Sequence, residues 1–213
     1  MRPPDDLRAA PVTLAIAIVT AVAWLLAWLP GWQQAAAVVG GFIPARIGGL
    51  EGDSLPVPVW LTPLTATLVH SGFVHLFFNL IILLYCGRSV ERVLGGRGMV
   101  ILYLVGAYAA AAAQYAADPA ERIPMVGASG AISAVLGAFA LLFGRNKVKI
   151  AHPGLATWLN ALWLGAAWIG IQLLVGLTFE TTGLAIAIFA HIGGFVAGLA
   201  LARPLLLLRW RGA

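Results

Sequence analysis

Long apolar stretches constrain this 213-residue chain more than any other feature of its sequence. A bilayer core about 30 Å thick needs about 20 apolar residues in each helix that crosses it. Six stretches meet or approach that length. Their approximate bounds are 11–29, 74–94, 98–117, 128–143, 155–177 and 183–208. They predict an all-α polytopic membrane protein, a bundle of six transmembrane helices.

Charged residues are scarce, and their distribution predicts an orientation. The chain is 61% hydrophobic and 10% charged, whereas a soluble domain carries about a quarter charged residues. This composition excludes a water-soluble or disordered chain, and the uninterrupted apolar runs exclude an outer-membrane barrel. Eleven of the 13 lysine and arginine residues fall in segments on one side of a six-span bundle. The positive-inside rule therefore predicts cytoplasmic termini, and because the net charge of +5 reflects topology, no nucleic-acid partner is expected.

The predicted organisation is a multi-pass protein of the bacterial inner (plasma) membrane. Its parts are a short cytoplasmic tail (1–10), a six-helix membrane domain (11–208) and a cytoplasmic C-terminal end (209–213). The link 31–73 faces outside and is long, apolar and rich in glycine and proline. We expect this link to lie in the outer membrane interface, where its tryptophans are favoured.

Five polar residues, Glu91 among them, lie where the bilayer makes polar groups costly, and such residues are functional hypotheses by default. His75 and Asn79 are four apart, so they share one face of the second helix, where they can also serve as interhelical hydrogen-bonding residues. Ser129 begins the short fourth stretch, beside backbone N–H groups that lack helical partners. An ordinary N-cap is the alternative explanation for this serine. His191 lies eight residues into the sixth stretch.

Stripes of small residues predict close contact between the fourth and sixth helices. Ser129, Ser133 and Gly137 form one stripe, and Ala190, Gly194 and Gly198 form the other, beside His191. Small residues at this spacing let two helix backbones approach closely. Such packing would bring Ser129 and His191 to similar depth, although most of these glycines need no role beyond packing.

Together these groups favour nucleophilic chemistry. Histidine can take the proton of a serine and so activate it, and the oxyanion that forms needs preorganised donors. The Ser129 amide, the Asn79 side chain and the His75 imidazole are candidate donors. No acidic residue lies deep in a span near the outer side, so the expected constellation is a Ser129–His191 dyad.

These residues resemble those of the rhomboid family of intramembrane serine proteases. The resemblance covers nearly the whole chain, and its motifs occur in the family's order on the expected helices. They are His75-x3-Asn79, Gly87-x3-Glu91-x3-Gly95, Gly127-Ala128-Ser129-Gly130 and Ala190-His191-x-Gly193-Gly194.

The resemblance implies an enzyme that cuts single-pass or other transmembrane protein substrates within the lipid bilayer, near the outer end of their helices. Ser129 would be the nucleophile and His191 its general base, and His75, Asn79 and the Ser129 amide would form the oxyanion hole. No cofactor or metal is implied, and the chain lacks the His-Glu-x-x-His motif of zinc proteases.

The resemblance also implies roles for further residues. Substrate would enter between the second and fifth helices, with Phe78 and either Trp158 or Trp163 at the gate. Glu91 would have a structural role, consistent with pairing to Arg88 or Arg92.

Two positions depart from the family pattern. Leu61 follows Trp60 where the family often has Trp-Arg, so the anchoring of the outer loop is open. Ser133 stands where many members carry an aromatic residue that supports the catalytic histidine ring. That support would then fall to Phe189 or another aromatic residue.

Two other functions compete with a protease. The first is a non-catalytic, rhomboid-like membrane binding protein, and such relatives normally lose the nucleophile or the base. The second is a small transporter with a polar pathway along His75, Asn79 and His191. The chain has no internal repeat of the kind that marks many transporters.

Overall fold

The described part of this computed structural model comprises residues 10–29, 31–49, 55–144, 152–179 and 187–210. These residues are mainly helical, and their only β pairing is one isolated antiparallel bridge between Phe42 and Met125. The α-helices are α1 (Pro11–Trp28), α2 (Gln33–Gly40), α3 (Thr62–Thr65), α4 (Phe73–Ile82), α5 (Arg88–Ala117), α6 (Ser129–Phe143), α7 (Pro153–Phe179) and α8 (Ile188–Arg209). A π-helical turn, Leu83–Gly87, joins α4 to α5, and short 3₁₀ turns span Pro44–Gly48, Val59–Leu61 and Ala66–Leu68.

The prediction of an all-helical, apolar fold is confirmed for the described residues, but the count of six transmembrane helices is not. A helix lies in each of the six apolar stretches, and the second and third stretches share one continuous helical run. Three described helical runs are long and apolar enough to cross a membrane: Pro11–Trp28, Phe73–Ala117 and Ile188–Arg209. The apolar α6 is shorter, at 15 residues. Several predicted charged segments, including 1–9 and 145–150, lie outside the described residues.

Gly95 breaks the long helical run Phe73–Ala117 where the sequence predicts a link between two spans. Its φ of +78° lies in the left-handed region, which glycine adopts without steric cost. The Arg209 guanidinium, from the end of α8, donates a 2.6 Å hydrogen bond to the Arg92 carbonyl just before the break. A cation thus satisfies a backbone acceptor at a helix end that has lost its helical partner.

Glu91 ties the start of α1 to α5. One oxygen of its carboxylate accepts a hydrogen bond from the Val12 amide at 2.9 Å. The other accepts from the Thr13 amide at 2.7 Å and the Thr13 hydroxyl at 2.6 Å. This carboxylate is 2% exposed, and a negative charge suits the positive end of a helix. Glu91 therefore has the structural role that was expected, and the partner that it holds is the start of α1. The sequence around Glu91 does not identify this partner.

The outer link is held against the segment that precedes α6. Phe42 and Met125 exchange two backbone hydrogen bonds of 2.9 and 2.8 Å, and the Gly127 amide donates to the Ala66 carbonyl at 2.9 Å. The buried Arg46 donates a 2.9 Å hydrogen bond to the Val57 carbonyl. These bonds anchor the loop without the Trp-Arg pair. They also fix the backbone of the segment that leads into Ser129.

The backbones of α6 and α8 touch through glycine, as the small-residue stripes predict. A Cβ atom on Gly194 would overlap the Gly130 carbonyl oxygen, and one on Gly198 would overlap that of Ala134. The contact therefore uses a face of α6 that includes Gly130 and Ala134 beside the predicted stripe. Close approach of this kind replaces the hydrophobic driving force that lipid does not supply.

We expect Gly198→Ala to destabilise the protein, because the new methyl group must push α8 away from the Ala134 carbonyl. Overpacking of this kind costs about 1–3 kcal/mol. Thermal unfolding in detergent measures the loss. Gly170→Ala on α7 is the matched control, since its Cβ would meet no atom within 4 Å. Equal melting temperatures for the two variants would contradict the packing account.

Candidate active site

Ser129 and His191 meet across the α6–α8 contact. The Ser129 Oγ lies 2.7 Å from the His191 Nε2, within hydrogen-bonding distance. Ser129 is 9% exposed and His191 is 5% exposed. No side chain forms an N-cap hydrogen bond on α6, so the serine hydroxyl faces the histidine instead of capping its helix.

The position predicted for His191 within its helix is wrong. The sixth stretch, taken from residue 183, puts this histidine two turns inside a helix. In the structure α8 begins at Ile188, because Ala187 has a non-helical ψ of 72°. His191 therefore lies in the first turn of α8, and both candidate groups belong to helix N-termini.

Gly127 lets the chain pass close to both groups. Its φ is +113°, a value that side-chain-bearing residues rarely adopt. A Cβ at this position would lie 2.7 Å from the His75 Nε2 and 3.7 Å from the Ser129 Oγ. His75 and Ser129 thus face the same small space, and that space is open only because residue 127 is glycine.

His75 and Asn79 make local hydrogen bonds on α4. The His75 Nδ1 lies 3.1 Å from the Ser71 Oγ, and the Asn79 Nδ2 donates to the His75 carbonyl at 2.8 Å. An amide nitrogen carries two hydrogens, so one Asn79 N–H remains for a ligand. These contacts lie within one segment and are not the interhelical bonds that the alternative reading predicts.

A cavity of about 410 Å³ joins these groups. All four predicted site residues line it, as do the start of α6 and part of the outer link. Among its lining residues are His75, Phe78, Asn79, Ser129, Trp168 and His191. A space of this size holds several water molecules or a short piece of polypeptide.

Only part of the gate expected from the family resemblance adjoins the cavity. Phe78 lines it and is 51% exposed. Trp158 and Trp163 are exposed on α7 and are not among the described lining residues. The tryptophan of α7 that lines the cavity is Trp168.

Sequence reasoning missed two residues of this site, His70 and Trp168. Trp168 packs against the His191 ring, but three tryptophans recur in the fifth stretch at intervals of five, and no helical period distinguishes one. His70 precedes His75 by five residues in the same segment. This proximity to His75 in the sequence is a signal that His70 lies near the site, although it does not reveal which helix His70 contacts.

His70 links the outer loop to the residue before the serine. Its ring is 2% exposed and lies 4.9 Å from the His75 ring, and its Nε2 accepts a 3.4 Å hydrogen bond from the Ala128 amide. Burial, with the neighbouring His75 as a second cause, lowers the pKa of His70 to about 3. The ring is therefore neutral near pH 7, as an acceptor nitrogen requires.

The described residues contain no group of three or more histidine, cysteine or acidic side chains that could hold a metal ion. The chemistry available to this cavity from its own residues is that of a serine, a histidine and several N–H donors.

Sequence comparison identifies the family. The family model of the rhomboid domain matches residues 58–208, which include every residue of the candidate site. The chain belongs to the rhomboid family, and its apolar helices make it an integral membrane protein.

Curated relatives carry protease names. The chain is 27% identical over 195 residues to the rhomboid protease GlpG of Pectobacterium atrosepticum, covering 92% of this chain and 63% of that protein. It is 28% identical over 151 residues to the rhomboid protease GluP of Bacillus subtilis, covering 71% and 27%. It is 31% identical over 163 residues to the rhomboid-type serine protease 2 of Emericella nidulans, covering 75% and 30%. The chain spans less than two thirds of the length of each.

The neutral His70 predicts a pH-dependent contribution to stability. Between about pH 3 and pH 6.5 the unfolded chain binds a proton at His70 that the folded chain excludes, so the free energy of unfolding falls as pH falls. We expect the wild type to have a higher melting temperature than His70→Gln at pH 7.5. The difference between the two melting temperatures should be smaller at pH 5.

Thermal unfolding in detergent at several pH values measures this gap. His152→Gln, at an exposed histidine, is the control and should track the wild type throughout. A gap that stays constant from pH 7.5 to pH 5 would contradict the assignment of His70 as a buried neutral ring.

Proposed function

We propose that this chain is an intramembrane serine endopeptidase that cleaves transmembrane protein substrates. Ser129 is the nucleophile and His191 its general base. His75, Asn79 and the Ser129 amide form the oxyanion hole. The observation that carries the proposal is the 2.7 Å contact between the Ser129 Oγ and the His191 Nε2 at the wall of a cavity that the other donors also line.

The first half of the reaction follows from these positions. His191 Nε2 takes the proton of the Ser129 hydroxyl while Oγ attacks the carbonyl carbon of the scissile peptide bond. The carbonyl oxygen becomes an oxyanion, and preorganised N–H donors stabilise it. Collapse of this intermediate breaks the C–N bond, and His191 returns the proton to the leaving amine. The acyl group is then bound to Ser129.

Water completes the cycle. A water molecule in the cavity gives its proton to His191, and its oxygen attacks the acyl carbon. The C–Oγ bond breaks, the proton returns to Ser129, and the new carboxylic acid leaves. Nothing beyond water and the peptide is consumed.

The oxyanion role needs a hydrogen on the His75 Nε2. If the Ser71 hydroxyl donates to the His75 Nδ1, the ring hydrogen lies on Nε2, which faces the space beside Gly127 and Ser129. The Ser129 amide belongs to the first turn of α6, where N–H groups have no helical acceptor and the helix dipole favours negative charge.

The proposal extends to the arrangement in the membrane. The membrane domain, 11–208, forms six transmembrane helices with the tail 1–10 and the end 209–213 in the cytoplasm of a bacterium. The active site then opens toward the outer side of the inner membrane. The short α6 supports a site recessed below that surface, since 15 residues span only about 22 Å.

Ser129→Ala should abolish cleavage, because the substitution removes the nucleophilic oxygen. The measurement is cleavage of a model transmembrane substrate by detergent-purified protein, together with labelling by a fluorophosphonate probe. Ser89→Ala, at a buried serine that does not line the cavity, is the control and should retain both activities. Cleavage that persists in Ser129→Ala with purity established would overturn the assignment. A wild type that transports a solute but does not label would favour the transporter.

Asn79→Ala should lower kcat about 100-fold, the usual cost of losing one oxyanion donor. Asn160→Ala applies the same substitution to another buried asparagine, one that donates to its own helix and does not line the cavity. Steady-state kinetics on the same substrate compare the two. An unchanged kcat in Asn79→Ala would remove this residue from the oxyanion hole.

A further inference from the structure

Hydrogen bonding does not orient the far side of the His191 ring. Its Nδ1 is buried and has no hydrogen-bond partner within the described residues. In a serine–histidine–aspartate triad a carboxylate occupies this position and fixes the orientation of the imidazole. In this chain, packing must therefore supply that orientation.

The ring that packs against His191 belongs to Trp168 on α7. The two ring centroids lie 6.2 Å apart with an angle of 58° between the planes. Trp168 is 7% exposed and lines the cavity. Phe189, the aromatic residue closest in sequence to His191, is 54% exposed. The indole is therefore the aromatic support that the sequence leaves unassigned.

The indole is itself held in place by the helix that bears the nucleophile. Its Nε1–H donates a 3.0 Å hydrogen bond to the Ser133 Oγ, and the Ser133 hydroxyl donates to the Ser129 carbonyl at 2.7 Å. Ser133 is fully buried, so water does not compete for these bonds. A chain of contacts thus runs from the backbone of the nucleophile through Ser133 and Trp168 to the base.

We propose that Trp168 is the positioning residue for the general base, and that Ser133 sets the position of Trp168. The inference rests on the proposed function. Trp168 restricts the rotation of the His191 ring so that Nε2 stays directed at Ser129. Its ring centroid also lies 6.2 Å from that of the ring that becomes positively charged in the reaction, close to the distance of about 6 Å at which cations interact with aromatic rings.

This arrangement makes the alignment of the dyad depend on a third helix. Serine comes from α6, histidine from α8 and the support from α7. Gly165 packs α7 onto α8, since a Cβ there would lie 2.7 Å from the Phe195 ring. A displacement of α7 would move the support away from His191 while leaving the α6–α8 contact intact.

Three variants test the inference, each compared with wild type for kcat, KM and the rate of fluorophosphonate labelling at Ser129. Trp168→Leu removes the ring and should lower kcat and labelling about 10- to 100-fold with little change in KM, because small misplacements of a catalytic group have effects of this size. Trp168→Phe keeps a ring and should recover part of the loss. Trp32→Leu, at a tryptophan of the outer link that is 65% exposed and does not line the cavity, should match wild type.

Ser133→Ala supplies a test that does not require loss of the ring. Ser133→Ala and Trp168→Phe both remove the hydrogen bond between these side chains. Their effects on kcat should therefore be less than additive in the double variant. If Trp168→Leu does not fold, this cycle decides, and additive effects would overturn the inference.

The outcomes separate the inference from the function on which it rests. If Trp168→Leu labels at Ser129 and cleaves substrate as fast as the wild type, the role of Trp168 is overturned. The proposed protease function is then unaffected. A wild type that neither labels nor cleaves would overturn both. A lower melting temperature with unchanged kcat per folded molecule would indicate a structural role only, and would also overturn the inference.

Discussion

Contact between the backbones of α6 and α8 is the constraint on which the rest of the structure depends. Gly194 and Gly198 lie against backbone carbonyls of α6, where no larger residue fits. The distance between the Ser129 Oγ and the His191 Nε2 follows from this contact, because each residue lies in the first turn of its helix. A hydrogen bond of 2.7 Å tolerates little displacement. The same glycines therefore determine both the packing of the two helices and the geometry of the candidate dyad.

A second layer of contacts fixes the N-terminus of α6. The outer link binds the segment before the helix through the Phe42–Met125 bridge and the bond from Gly127 to Ala66, and the neutral His70 accepts from the Ala128 amide. Because the first N–H groups of a helix have no helical acceptor, this end can bind negative charge once it is held still. The outer link, which has no candidate catalytic residue of its own, thus positions the proposed oxyanion hole.

The sequence predicted helix bounds well where the thickness of the bilayer sets the helix length. It predicted them poorly where the helix end depends on a neighbouring loop. The observed α7, Pro153–Phe179, agrees with its predicted stretch within two residues at each end. The predicted start of α8 was wrong, because apolar residues continue through a segment in which Ala187 is not helical. Hydrophobicity reports burial in lipid, and it does not report where backbone hydrogen bonding begins.

The sequence by itself determined that this is a helical membrane protein and which serine and histidine are the candidate dyad. Bilayer thickness and the cost of embedded polar groups act on local sequence, so both features can be read without coordinates. Tertiary structure alone decided the partners: Glu91 with the start of α1, and Trp168 with both His191 and Ser133. Such contacts depend on how each helix is rotated about its axis relative to its neighbours, and no local period in the sequence encodes that rotation.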